Sequence, residues 1–134
     1  MAGELTLSEI IVYVKNYVYE KSPGTYMILD LNSKNKLGES LTDALIKKPV
    51  EVYNMIKSLY QDDITASFVF RSLLVKPIAI KLGKIGNEDE VEKALLSGCD
   101  SFVEYLKENG VNGNLDKSIC HPATGNGKAI SSFS

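Results

Sequence analysis

The stretch from Ile64 to Leu82, ITASFVFRSLLVKPIAIKL, constrains this chain more than any other. It is the longest apolar run in the sequence, and it holds the only arginine, Arg71. A membrane span is one use for such a run. Arg71, Lys76 and Lys81 argue against it, because each charge at membrane depth costs roughly 2.5–3.5 kcal/mol. A core helix about 28 Å long, wrapped by others on most sides, accounts for it better. At helical spacing, Ile64, Phe68, Leu74 or Val75, Ile78 and Leu82 form one stripe. Val69, Leu73 and Ile80 widen that stripe beyond a single face.

Pro77 interrupts the run. It lacks a backbone donor and disfavours helical geometry at Lys76, so a kink or a helix junction is expected at 76/77. Asp62 or Asp63 is suited to cap the start, and Gly83 to stop the end.

The flanking sequence supplies further helices. Thr6-Leu7-Ser8-Glu9 has the form of a capping box and opens an element that runs to about Glu20. Alternation of Ile10, Val12 and Val14 makes a strand over residues 10–18 the competing assignment, and the cap decides for helix. Ser22-Pro23-Gly24 closes that element. Thr25 to Leu31, TYMILDL, is short, apolar and bounded by turn residues, the pattern of a strand. NSKNK, from Asn32 to Lys36, reads as a polar loop.

Ser40 to Asp43 opens a short helix, and Pro49 fits the first position of the next. Val52, Met55 or Ile56, and Leu59 mark the inner stripe of that helix. Asn87 with Glu90 forms a third capping pattern. It opens a helix from Glu88 to about Glu108 with Val91, Leu95, Cys99, Phe102 and Leu106 on its inner face. Gly98 costs this helix about 1 kcal/mol relative to alanine. Asn109-Gly110 stops it.

The expected fold class is therefore mainly α: a compact bundle of about five helices around the central apolar helix. A short strand or hairpin near residues 25–31 is the one β element expected. Residues 1–110 read as a single helical domain. Residues 111–134, rich in Gly, Asn and Ser, read as a flexible or extended C-terminal tail.

Motifs for chemistry fail one after another. DLNSKNKLGESL has Asn35 where a calcium loop needs glycine and Leu41 where it needs glutamate. GNGK at Gly125–Lys128 has Pro122 and Ala129 where a phosphate loop needs glycine and Ser or Thr. Cys120-His121 with Cys99 gives too few ligands for structural zinc. The only histidine, His121, precedes a proline in the expected tail, so no base is evident for a nucleophilic serine or cysteine. No cofactor and no metal is expected. Cys99 and Cys120 show no framework spacing, which suggests reduced thiols. MAGELTLSE lacks the basic and apolar regions of a signal peptide, and a cytoplasmic setting follows.

Charge is distributed unevenly. The whole chain carries −2. Residues 64–87 contribute Arg71, Lys76, Lys81 and Lys84 with no acid, and residues 88–110 contribute seven acids against two lysines. The two segments can pair as neighbouring helices with ion pairs along the rim. Alternatively the basic strip faces outward to phosphates or an acidic partner, or pairs across a homodimer. Lys34, Lys36, Lys47 and Lys48 form a second candidate patch.

The first functional expectation is a non-enzymatic protein-interaction or assembly module, a small subunit of a larger complex or a self-associating chain. The alternatives are an accessory nucleic-acid-binding protein using the Lys/Arg strip at 71–84, and an enzyme whose carboxylate site shows no motif. No membrane partner is expected.

Overall fold

The structure, a computed structural model, describes residues 5–112, 115 and 117–120. It begins at a two-residue strand, β1 (Leu5–Thr6), which leads directly into α1 (Leu7–Lys21). The capping box is formed. The Glu9 N–H donates to Thr6 Oγ1 at 3.2 Å, and the Thr6 N–H donates to Glu9 Oε1 at 2.9 Å. Two of the four N–H groups a helix start leaves open are thereby used or matched. Ile10, Val14 and Val18 recur every fourth residue and are buried. Residues 10–18 are helix.

The next element corrects the sequence reading. Residues 25–31 are no strand or hairpin; they lie inside α2 (Pro23–Leu37). Pro23 at its start fixes the backbone for a helix. Tyr26, Leu29 and Ser33 face inward, whereas Met27, Ile28 and Leu31 face out and are more than half exposed. With apolar residues on both faces the period of 3.6 is hidden, and a short apolar run imitates a strand. The polar NSKNK is the last turns of the same helix. Gly38, at φ 79°, ends it in the left-handed conformation. Lys48 Nζ donates to the Leu37 carbonyl at 2.9 Å, satisfying one of the acceptors left open there.

α3 (Leu41–Lys47) and α4 (Pro49–Tyr60) follow where the capping residues indicate. The Leu41 N–H donates to Asp30 Oδ1 at 2.8 Å, so a carboxylate of α2 supports the start of α3. Val52, Met55 and Ile56 form the buried face of α4.

The central run is helical from end to end, but not as one α-helix. α5 (Asp63–Val69) gives way to a π-helical segment, Phe70–Val75, and then to α6 (Lys76–Leu82). The cause is Pro77. In an α-helix its ring would strike the carbonyl of Leu73, and that carbonyl would have no donor. Widening the turn before it removes the clash. The Lys76 N–H accordingly donates to the Arg71 carbonyl, five residues back. Lys76 itself stays helical at φ −56°, so the junction at 76/77 is a change of helix type rather than a break.

This change also corrects the stripe. The buried residues are Ala66, Phe70, Leu74, Val75, Ile78 and Ala79. Ile64 and Phe68, expected inside, are 81% and 69% exposed. The stripe drawn through them assumed α-helical spacing throughout, and the wider turn of the π segment shifts the helical phase between its two ends. Around the run stand α1, α4 and the helix that follows it, so its central place in the bundle is as expected.

That following helix divides in two, α7 (Glu88–Leu96) and α8 (Cys99–Glu108). Gly98 sits between them at φ 106° and ψ 170°, a backbone state open to glycine and costly for other residues. Asn87 makes no side-chain cap; Glu88 Oε2 instead accepts the Gly86 N–H at 3.3 Å. The two divisions, together with α2 in place of a strand, raise the helix count above the five expected.

β2 (Val111–Asn112) then pairs in parallel with β1, Leu5 beside Val111 and Thr6 beside Asn112. Val111 and Leu115 are buried, and Lys117–Ile119 form a 3-10 turn. The first part of the stretch read as a tail thus runs against the helical body. Residues 121–134, including His121 and the GNGK sequence, lie outside the described residues. Among the described residues, no helix is long and apolar enough to cross a membrane.

Candidate functional site

The four cations singled out in the sequence lie along the central helix and the turn after it. Three of them meet the acidic first turns of α7. Arg71 donates through a terminal nitrogen to Asp89, and its Nε lies 3.2 Å from Glu92 Oε1 as an ion pair. Lys76 Nζ lies 3.6 Å from Glu88 Oε2, and Lys84 Nζ lies 3.3 Å from Glu90 Oε2. Lys81 turns to α1 and sets its ammonium 5.3 Å from the Tyr13 ring centre, a cation–π contact. In the second patch Lys34 pairs with Asp30, and Lys47 and Lys48 both pair with Glu39. Lys36 has no carboxylate partner among the described residues. The charge asymmetry between residues 64–87 and 88–110 is used, in large part, to fasten α7 to the central helix.

The carboxylates respond to these neighbours. The Tyr105 hydroxyl donates to Glu90 Oε2 at 2.8 Å, and this bond, then Lys84, holds the Glu90 carboxyl below its ordinary value. The same pairing and, more strongly, burial push the Tyr105 phenol well up. Glu88 is lowered chiefly by backbone N–H groups and only then by Lys76. Glu92 goes the other way: burial raises its carboxyl, and Arg71 offsets part of that rise. Each of these pairs has at least one partner well open to water, which screens the attraction. Replacing Arg71 by alanine is expected to lower unfolding stability by about 1 kcal/mol. Urea titration should show the deficit shrinking at about 1 M salt, where exposed pairs are screened. A deficit that salt leaves unchanged assigns the loss to the packed stem of the side chain instead.

Arg71 and Lys76 also border the most distinctive surface of the chain. Phe68 rises between two hollows. One, of about 500 Å³, is lined by Tyr53, Asp63, Ile64, Ser67, Phe68 and Arg71. The other, of about 370 Å³, is lined by Phe68, Arg71, Ser72, Lys76 and Glu88. Because they share Phe68 and Arg71, they read as one furrow along α5 and the π segment. Its floor is rigid. Tyr53 packs edge-on against the buried Phe70 with ring centres 5.1 Å apart. Asp62 caps α5 by accepting the Thr65 N–H at 3.2 Å. Beside it, Lys57 Nζ lies 3.6 Å from Asp63 Oδ1.

Sequence reasoning placed Arg71 and Lys76 in the strip and missed Ile64 and Phe68 as surface. The signal was present: Ala66, Phe70, Leu74 and Ile78 recur every fourth residue, but the small Ala66 drew less weight than its larger neighbours. Lys81 and Lys84 line neither hollow.

A second opening, of about 430 Å³, lies between the starts of α4 and α8. Lys47, Lys48, Glu51, Gly98, Cys99 and Cys120 are among its lining. Cys99 and Cys120 form a disulfide, with Cα atoms 5.7 Å apart. The expectation of reduced thiols is thereby corrected, and the cytoplasmic setting loses the support it drew from them. Spacing alone could not give this pairing; the reversal of the chain after Gly110 brings the two residues together. Among the described residues, no three His, Cys, Asp or Glu side chains gather as a metal site.

Comparison of the chain with protein-family models, with curated proteins and with solved structures finds no match.

Proposed function

We propose that this chain is a non-enzymatic protein-interaction module and that the furrow around Phe68 is its contact surface. One observation carries the reading. Ile64 and Phe68, four residues apart on one face of α5, stand exposed beside a shallow hollow while the neighbouring Ala66 and Phe70 are buried. Leaving two large apolar side chains in water forgoes about 1.5–3 kcal/mol for each that a partner could cover. Exposed apolar residues rimmed by charge, here Asp63, Arg71, Lys76 and Glu88, are the pattern of interaction surfaces. The cations at 71, 76 and 84 already have carboxylate partners, so phosphate contact is not needed to account for them.

A photo-crosslinking side chain introduced at position 68 tests the reading in cells. The expected result is a discrete adduct, identified by mass spectrometry, that disappears when Ile64→Asp is added. An adduct with a second copy defines self-association. An adduct with another protein defines a subunit of a larger assembly. A chain that gives no adduct and sediments as a monomer excludes the proposal.

A further inference from the structure

The disulfide stands apart from the furrow and carries an inference of its own. Three observations meet at it. First, Cys120 closes a short strap that also meets the body through the two-residue pairing of β2, the buried Val111 and Leu115, Ile119 at the edge of the core, and contacts of β2 and the 3-10 turn with α8. Second, both cysteines are half-buried and line an open cleft, so a reductant reaches them without unfolding the body. Third, Cys99 is the first residue of the ten-residue α8. Gly98, which precedes it, offers no side chain to bond the open N–H groups of that first turn. Among the described residues, Lys47 and Lys48 at the cleft are both paired with Glu39, so the start of α8 is the feature that favours negative charge on Cys99.

We propose that the Cys99–Cys120 disulfide is a redox-operated latch that a dithiol reductant opens by attack on Cys120. In the first step a thiolate of the reductant attacks Cys120 Sγ. A mixed disulfide forms there, and Cys99 leaves as a thiolate at the start of α8. The better-stabilised thiolate is the better leaving group. In the second step the reductant's other thiolate attacks its own bonded sulfur and releases the Cys120 thiolate. The reductant closes to its disulfide and gives up two electrons and two protons. The two cysteines take both. Opening frees the 3-10 turn from α8 and leaves the helical body in place, because the body's buried core lies almost entirely on elements outside the strap.

Two measurements on the full chain test this. Hydrogen exchange is followed with and without dithiothreitol. Reduction is expected to speed exchange at Ser118–Cys120 at least tenfold more than at α1 and α4, which share only the drop in global stability. Equal protection in both states means that packing alone holds the turn. An equal speeding at Ser118–Cys120 and throughout α1 and α4 means that the bond acts only on the fold as a whole. Either result overturns the latch. The double variant Cys99→Ser, Cys120→Ser is expected to give the reduced pattern without reductant, and an oxidised-like pattern also overturns it. In the second measurement glutathione, a monothiol, is added to the oxidised protein, and the mixture is quenched with acid and a maleimide. Peptide mapping should find glutathione on Cys120 and maleimide on Cys99, in at least tenfold excess over the reverse. An even split, or the reverse, rejects attack on Cys120.

Discussion

Replacing Phe70 by alanine is expected to destabilise the fold by about 3–5 kcal/mol, the range for deleting a buried aromatic ring. Phe70 is fully buried on the π segment and meets Tyr53 edge to face. The ring pair adds to the loss, since such pairs are worth about 0.5–1.5 kcal/mol beyond burial. The control is two residues away. Phe68→Ala removes the same atoms from an exposed position. It should change stability by less than about 0.5 kcal/mol, as for surface sites in general. Urea unfolding of both variants measures the phase of the central helix directly. Equal losses at 68 and 70 contradict the assignment of the two rings to opposite sides.

The second large effect concerns the disulfide. Converting both Cys99 and Cys120 to serine is expected to lower unfolding stability by up to about 3 kcal/mol. The cysteines are 21 residues apart in sequence, and the chain-entropy argument for a loop of that size gives this figure. The unfolded chain gains freedom when the link is cut. The folded chain regains part of it if the strap around Leu115 and Ile119 frays, so about 3 kcal/mol is a ceiling. The comparison is between oxidised wild type and the double variant, by urea titration monitored through helix content. A loss well above that ceiling means that the serine hydroxyls are left without partners at the α8 start.

Much of the fold was legible because its signals are local. Thr6 and Ser40 sit where capping chemistry requires them. Pro49 opens α4, and Val52, Met55 and Ile56 show its inner face. The misreadings come from residues whose neighbours in space are far away in sequence, or absent. Met27, Ile28 and Leu31 face solvent, so α2 carries no amphipathic period to find. The helix from 88 to 108 has the right period throughout, and only the backbone at Gly98 reveals the break. Pro77 announced a disturbance, but the choice of a widened turn over a kink depends on α1, α4 and α7 packing around it. For the candidate site, Arg71 and Lys76 were visible as charges in an apolar run. Phe68 was visible only as an apolar residue, and its exposure follows from a helical phase that the π segment shifts.

The parallel pair of β1 and β2 has a mechanical consequence. Leu5 and Val111 lie side by side, so the helical body is clipped where its chain enters and leaves. Pulling the entering strand against the leaving one slides parallel neighbours past each other and loads the clip in shear. The Cys99–Cys120 link changes the route of that tension. β2 lies inside the covalent ring that the link closes. A pull applied beyond residue 120 passes through the sulfurs to the start of α8 and bypasses the clip. With the link closed the tension bypasses β2, and with it open the pairing of the two strands bears the load first.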